Sequence, residues 1–216
     1  MRRLGARMVH WPCQERLSAL KFILLNMFQL IYWILVALAG FWILIVLAAY
    51  LIPYAYGLPP TPTQRDRIRR ALKLADLQPG ETLYDLGSGD GRVLVIAARE
   101  FGAQAVGIDA GPVQCVQAWA NSLFNGVRSR VRVKRGNFFK SDLGDADVVF
   151  AYLTSDYVPR LAPQLEKQLK PGARVVTISF DFPDWEPARF DKRALIFLYF
   201  MPPTPGNLAT FLQKQV

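Results

Sequence analysis

Histidine is almost missing from this chain of 216 residues: His10 is the single one, and it lies in a basic N-terminal tail. Histidine-based acid–base chemistry in the rest of the protein is thereby excluded. Cysteine is nearly as scarce, with Cys13 and Cys115 far apart and at no metal-like spacing. Neither a disulfide framework nor a zinc site is implied, and no metal is expected. Internal repeats and low-complexity tracts are also lacking. Charge is missing from one long stretch, since the 31 residues from Phe22 to Ile52 carry none, and only Asn26 and Gln29 among them are strongly polar.

That stretch exceeds the run of about 20 apolar residues that a membrane-spanning helix needs. It is too long and too rich in Trp and Tyr for a cleaved signal peptide. A fully buried core helix of this kind would need a much larger protein around it. The chain therefore divides into a basic tail (1–21), a membrane anchor (22–52), a Pro-rich linker (53–64) and a domain (65–216), with the lipid bilayer as a partner. Topology is balanced, because Arg2, Arg3, Arg7, Arg16 and Lys21 precede the anchor while Arg65, Arg67, Arg69, Arg70 and Lys73 follow it. A single span puts one basic flank on the disfavoured side; a re-entrant hairpin bending near Gly40 keeps both on the cytoplasmic side.

The formal net charge is +9, and removing residues 1–52 leaves 21 Lys and Arg against 16 Asp and Glu, or +5. Such a mild excess suits anionic lipid headgroups or an acidic partner better than a dedicated reader of nucleic acid. No specific nucleic-acid partner is expected. The run Arg128, Arg130, Arg132, Lys134 and Arg135 alternates along an apolar strand, as a solvated face does; contact with phosphates or headgroups is the other reading.

Beyond the proline-rich lead-in from Pro53 to Pro62, Arg65 to Leu77 returns to helical spacing until Pro79-Gly80 stops it. Short apolar runs then alternate with helical stretches. The strands are Thr82–Leu86, Ala105–Ile108, Val131–Val133, Val148–Leu153 and Arg174–Ser179; the helices are Arg92–Phe101, Val113–Phe124 and Tyr157–Leu169. This rhythm predicts an α/β domain with a parallel sheet covered on both faces. Ala194–Phe200 and Leu208–Leu212, separated only by Pro202 to Gly206 and its flanks, are expected to form an antiparallel hairpin at the sheet edge.

The chemistry concentrates at Tyr84-Asp85-Leu86-Gly87-Ser88-Gly89-Asp90-Gly91-Arg92. A strand ending in an acid is followed by Gly87, Gly89 and Gly91, and the third glycine comes one residue too early for the dinucleotide pattern. Glycines let the backbone turn tightly and come close to a ligand. An acid at the start of the loop suits an amino group or a sulfonium rather than a pyrophosphate. A second acid, Asp109, ends the next strand 18 residues after Gly91. At such a strand end a carboxylate can accept from both hydroxyls of a ribose.

These residues resemble the class I S-adenosylmethionine-dependent methyltransferases from Thr82 to about Leu212. The resemblance implies a Rossmann-like seven-stranded sheet, mostly parallel with an antiparallel C-terminal hairpin, here preceded by a transmembrane helix. It places Asp85, Gly87, Ser88 and Gly89 along the methionine part of S-adenosyl-L-methionine and Asp109 at its ribose. Asn137, in Gly136-Asn137-Phe138 after the third strand, falls near the adenine, although it could equally be an ordinary turn residue. A closer likeness is to the membrane-anchored protein-lysine methyltransferases of the ATP synthase c-subunit and adenine nucleotide translocase. Those proteins share a hydrophobic N-terminal segment, a Pro-rich lead-in, the loop from Asp85 to Arg92, and the late Phe180-Asp181-Phe182-Pro183-Asp184-Trp185. Between these, Ala151 to Ser155 and the helix around Asn121 are not distinctive, so the substrate can differ.

The likeness implies a lysine N-methyltransferase acting on a membrane-associated protein, with its domain on the cytoplasmic or matrix side where the cofactor is found. Candidate residues near the acceptor are Tyr152, with Thr154 and Ser155, after the fourth strand, and Asp181, Phe182 and Trp185 after the fifth. Phe182 and Trp185 could wall an amine by cation–π contact while Asp181 orients it, or the aromatic side chains could simply complete the core. Thr61 would close over the cofactor if the linker folds back. A lipid or quinone methyltransferase, a cofactor-binding scaffold without turnover and an aminopropyltransferase are the competing readings, the last disfavoured because Asp181 and Asp184 make a poor polyamine site.

Overall fold

The structure is a computed structural model that describes residues 13–55 and 63–214, with side chains described for residues 20–48 and 63–214. The chain divides into two compact units near Ala48 and Ala49.

The helix α1 (Cys13–Ala55), 43 residues long, makes up the described part of the first unit and runs on past its boundary. From Leu20 to Ala48 every residue is exposed, and these 29 residues are long and apolar enough to cross a membrane. At 1.5 Å per residue they extend about 44 Å, which exceeds a hydrocarbon core of about 30 Å and leaves room for tilt. A helix apolar all round has no face for water, which is the pattern of a span. Of the two topologies considered, the re-entrant bend at Gly40 is not found: α1 runs through it unbroken. One glycine costs about 1 kcal/mol relative to alanine in a helix, too little to break so long an apolar run. The helix also passes the predicted boundary at Ile52 and continues through Pro53 to Ala55: a proline loses one backbone bond but leaves the next residues free to keep helical dihedrals.

The second unit opens with α2 (Arg65–Leu74) and continues β1 (Thr82–Leu86), α3 (Arg92–Glu100), β2 (Gln104–Asp109), α4 (Pro112–Phe124), β3 (Val131–Arg135), β4 (Val148–Ala151), α5 (Val158–Gln168) and β5 (Arg174–Ile178). It closes with β6 (Trp185–Glu186), β7 (Arg189–Asp191), β8 (Ile196–Phe200), β9 (Thr204–Pro205) and α6 (Leu208–Gln213). The main sheet has seven strands in the order β3-β2-β1-β4-β5-β8-β7, while β6 and β9 form a separate ribbon. β1 to β5 pair in parallel, and β8 runs antiparallel between β5 and β7.

Both faces of the sheet are covered, which is why its central strands are apolar nearly throughout. On one face Ile68, Leu72, Leu94 and Ala118 pack with Leu83, Phe150 and Val176. On the other, Leu161 and Leu165 of α5 pack with Tyr84, Val149, Val175 and Tyr199.

The antiparallel C-terminal strands are present, but Leu208–Leu212 is not one of them. It forms α6, whose start is capped by the Asn207 side chain accepting from the Thr210 backbone at 2.9 Å. The partner of β8 is instead β7, joined through a turn in which Asp191 Oδ1 accepts from the backbone N–H groups of Arg193 and Ala194. An Asx turn of this type lets an acid replace the glycine that a hairpin is usually read from.

Candidate active site

At the C-terminal ends of β1 and β2 the backbone folds into a cradle. Gly87, Gly89 and Gly91 adopt φ of +81°, +52° and +76°, the left-handed region that glycine enters without cost. At Gly91 space is also limiting, since a β-carbon there would lie 2.7 Å from Ala118 Cβ on α4. The N–H groups of Gly87 and Ser88 both reach the Ile108 carbonyl, at 2.9 and 3.2 Å, so the loop is laid across the end of β2. Gly107 completes this fit: a β-carbon on it would strike Leu94 Cδ1 at 2.5 Å and Ser88 Oγ at 2.7 Å.

Asp109 holds the cradle together. One carboxylate oxygen accepts from Gly89 N–H and the other from Gly111 N–H, both at 2.8 Å. Its own carbonyl accepts from Gly136 N–H at 2.8 Å, so the turn carrying Asn137 begins beside it. Asn137 is exposed there, and its Oδ1 accepts from Phe139 N–H at 2.9 Å to start a short 3-10 turn.

Asp85 is the unusual member. It is buried, one of its oxygens has no hydrogen-bond partner, and the same is true of Ser88 Oγ. Burial, reinforced by the charges of Asp109 and Asp90, pushes the Asp85 carboxyl well above the usual carboxylate range. A buried acid without a partner, in the field of two further acids, is an environment that a cationic group would relieve. The ammonium and sulfonium of S-adenosylmethionine supply such groups, so these residues fit that cofactor.

The remaining contacts tie the loop to the chain before it. Arg92 pairs with Asp90 at 2.6 Å and donates through Nη1 to the Thr63 carbonyl at 2.9 Å. Burial on its own pushes the Asp90 carboxyl up, but the side-chain and backbone hydrogen bonds from Arg92, with the charges of Arg92 and Arg65, together hold it below its ordinary range. Asn121 on α4 donates to the Asp90 carbonyl at 2.8 Å. Thr61, expected to close over the cofactor, lies outside the described residues. Thr63 brings the end of the lead-in to this loop.

Over residues 85–189 the chain matches the family model described as the ANTKMT methyltransferase domain. It is similar to a protein-lysine N-methyltransferase of Saccharolobus islandicus (strain REY15A), 39% identical over 140 residues that make up 64% of this chain and 87% of that protein. The chain belongs to the protein-lysine N-methyltransferase family. With the adenine nucleotide translocase lysine N-methyltransferase of Mus musculus it is 31% identical over 137 residues, 63% of this chain but 59% of that one. Among solved structures, an RNA methyltransferase from Salinibacter ruber in complex with S-adenosyl-L-homocysteine superposes with a TM-score of 0.65 at 38% identity, covering 68% of this chain and 99% of that one. This family member is an S-adenosylmethionine-dependent methyltransferase, and the sheet with its antiparallel C-terminal strands is the fold of that class.

The residues expected near an acceptor are placed differently from the glycine loop. Tyr152 follows β4, half-buried, with the Arg67 guanidinium 5.9 Å from its ring centroid. Asp181 is half-buried after β5. Phe182 and Trp185 are buried in the core, stacked on each other with centroids 4.0 Å apart and set edge-on to Tyr199. Trp185 Nε1 donates to Glu166 Oε1 at 2.9 Å. Their ring faces are occupied by one another, so of the two sequence readings the core-completing one describes their placement.

Arg67 reads from the sequence only as a flanking cation. It donates to the Ala194 carbonyl at 2.7 Å and to Ser179 Oγ at 2.9 Å, and Ser179 itself has a φ of +68° immediately after β5. Beside it lies an open cleft of about 500 Å³ whose walls include Arg67, Arg70 and Arg193. Three guanidinium groups against the single carboxylate of Asp66 make it a poor receptor for an ammonium.

Proposed function

We propose that this protein methylates lysine side chains of a protein in or at a membrane, from the cytoplasmic or matrix side. The observation that carries the reading is the chemistry of the loop: Asp85 buried and partnerless, with Asp90 and Asp109 nearby and glycines that let a ligand approach the backbone. An end of the sheet this acidic favours cationic groups and disfavours phosphate, which supports an amine acceptor over RNA, although one similar structure is named for RNA. The names of the lysine methyltransferases support a protein acceptor, and helix α1 supports the membrane. As the chain spans 59% of its mouse relative, the acceptor of that relative does not transfer to it by similarity alone.

When bound, S-adenosylmethionine supplies an electrophilic methyl group on a sulfonium. The chain's own residues have three tasks. Asp85, Gly87, Ser88 and Gly89 receive the amino-acid part of the cofactor, and Asp109, whose oxygens each keep a second lone pair, fixes the cradle and faces the ribose. Tyr152 and Asp181, after neighbouring strands, position the acceptor amine. A lysine must be neutral to react, and the apolar shell below Asp181, made by Phe180 and Phe182, disfavours the ammonium form. Holding the reactants aligned and dry is the main part of the catalysis.

Incubating total membranes with radioactive cofactor and fractionating into protein, lipid and RNA tests this reading. Label on lysine in the protein fraction supports it. Label confined to the organic extract overturns it in favour of a lipid acceptor, and label in RNA overturns it in favour of the third class.

A further inference from the structure

Helix α4 is turned inside out. Its inward face carries the small residues Cys115, Ala118 and Ser122, with Ala118 and Ser122 fully buried. The outward face carries Val116, Trp119, Leu123 and Phe124, which are 65%, 45%, 48% and 84% exposed. At 100° per residue these four fall on one stripe, together with Ala120. The inward residues must be small because α4 is drawn tightly onto the cofactor loop, where Ala118 meets Gly91. That requirement does not explain the outer face: nothing in the domain asks for Trp, Leu and Phe there. Contiguous exposed apolar side chains on a folded domain mark an interaction surface.

The charge around the stripe indicates what covers it. Between Ala110 and Gly136 there is no acidic residue, and α4 itself has no charge. Arg128 and Arg130 follow the helix directly. Each spends one guanidinium N–H on a backbone carbonyl, Arg128 on that of Val131 at the start of β3 at 2.6 Å and Arg130 on that of Ala98 in the last turn of the neighbouring α3 at 3.3 Å. Arg135 shares the strand face of Val131 and Val133, the face that packs toward α4; burial and the Asp109 carboxylate push the Cys115 thiol on that helix up, and the Arg135 charge opposes them more weakly. Arg132 and Lys134 point to the opposite face of the sheet, where Lys134 lies over the Tyr84 ring. An apolar stripe with an indole, on a helix without acids and with cations in the segment that follows it, is the surface that binds anionic phospholipid at the headgroup level.

We propose that the outer face of α4, with Arg128, Arg130 and Arg135, is a membrane-docking surface for anionic phospholipid, separate from the apolar helix α1. It rests on the reading that the protein works at a membrane, and it adds which face of the catalytic domain meets the bilayer. Docked in this way, the domain has one fixed face toward the lipid, so an acceptor lysine near the headgroups meets the site in a constant orientation.

The test uses the full chain reconstituted in vesicles of phosphatidylcholine, with or without phosphatidylglycerol. Cys13 and Cys115 are replaced by serine, and an environment-sensitive fluorophore is placed through Phe124→Cys or, on α5, through Lys167→Cys. Nitroxide-bearing phospholipids report depth. The fluorophore at 124 is expected to shift to the blue and be quenched when phosphatidylglycerol is present, while that at 167 is not. The set R128Q, R130Q and R135Q should weaken docking by about fivefold for each cation removed, with cofactor binding retained as the check on folding. Absence of quenching at 124 in chains that float with the vesicles, or equal quenching at 167, overturns the proposal and leaves lysine methylation standing. A blue shift at 124 without nitroxide quenching overturns it in favour of a protein or second-copy interface. Chains that do not float at all overturn the membrane reading, and this proposal with it.

Discussion

The two halves of the sheet treat their buried polar groups in opposite ways. At the ends of β1 and β2, an oxygen of Asp85 and the hydroxyl of Ser88 are buried without a partner. At the end of β5 and beyond it, Thr177 Oγ1 donates to the Phe180 carbonyl at 2.6 Å, Trp185 Nε1 to Glu166, and Phe182 N–H to the Tyr199 hydroxyl at 3.2 Å. Buried polar groups that the fold satisfies are part of its framework, whereas those it leaves unsatisfied await something that is not protein. The loop half therefore carries a cost that a bound cofactor would remove, whereas the aromatic cluster of Phe180, Phe182, Trp185 and Tyr199 leaves no such group, the unpartnered Gln164 Oε1 lying outside it on α5.

Truncating the aromatic half should give the largest effect. Trp185→Ala removes a buried indole and its stack on Phe182, and is expected to cost about 3–5 kcal/mol of stability. Trp185→Phe should recover most of that loss. Chemical denaturation monitored by circular dichroism measures both. If Trp185→Phe kept the stability but lost turnover, the ring would be acting on the substrate, and the contrast between the halves would fail.

Asp85→Asn attacks the other half and should reverse the pattern. Cofactor affinity is expected to fall by about 2–3 kcal/mol, or roughly 30- to 150-fold, through loss of a charged partner, while the ligand-free domain becomes no less stable. The sign follows from the direction of the shift. Asp85 is held above the usual carboxylate range by burial and by Asp109 and Asp90, so its contribution to stability is fully present below the ordinary pKa and is lost as pH rises through the raised one. Asn cannot ionise and escapes that loss. Titration calorimetry and thermal melts on the same protein separate the two effects; parallel losses in both would show that Asp85 is a framework residue.

The same shift sets a smaller, pH-dependent effect. The cationic part of the cofactor favours the ionised carboxylate, so binding to the protonated form must release a proton. Affinity should rise with pH until Asp85 is ionised without ligand, by at most about tenfold per pH unit. Calorimetry in buffers of different ionisation enthalpy counts the proton. A flat profile in the native chain, or an unchanged slope in Asp85→Asn, would assign the titration to another group.

The contrast also marks what the sequence can reveal. Asp85, Ser88, Gly89 and Asp109 are legible because a strand end and its glycines act within a few residues of one another. The same holds for β1 to β5, whose apolar runs allow one reading between turn signals. Leu208–Leu212 reads as a strand although it is a helix, because a short apolar-rich segment fits either period, and Asn207, a helix cap, is the signal that decides it. β7 escapes notice since Asp191 makes its turn without glycine. Arg92 to Thr63 and Arg67 to Ala194 join residues distant in the chain, and no local pattern announces them. For Phe182 and Trp185 the motif identifies the right segment, but spacing does not say whether a ring face meets solvent or another ring.

The finest probe of the finished half is Glu166, whose Oε1 accepts from Trp185 Nε1 at 2.9 Å and which stands exposed on α5. Water can replace it there. Glu166→Ala should therefore cost only about 0.5–1.5 kcal/mol, the net worth of one hydrogen bond, and Glu166→Gln less, because the amide keeps an acceptor oxygen. Denaturant midpoints at constant slope give these differences. Cofactor affinity and turnover should not change in either variant, since Trp185 stays held by its stack on Phe182 and by Tyr199. A loss of turnover in Glu166→Ala at unchanged stability would mean that the aromatic cluster is tuned for the acceptor as well as packed, and the line between a satisfied framework and an unsatisfied site would have to be drawn closer to Asp181.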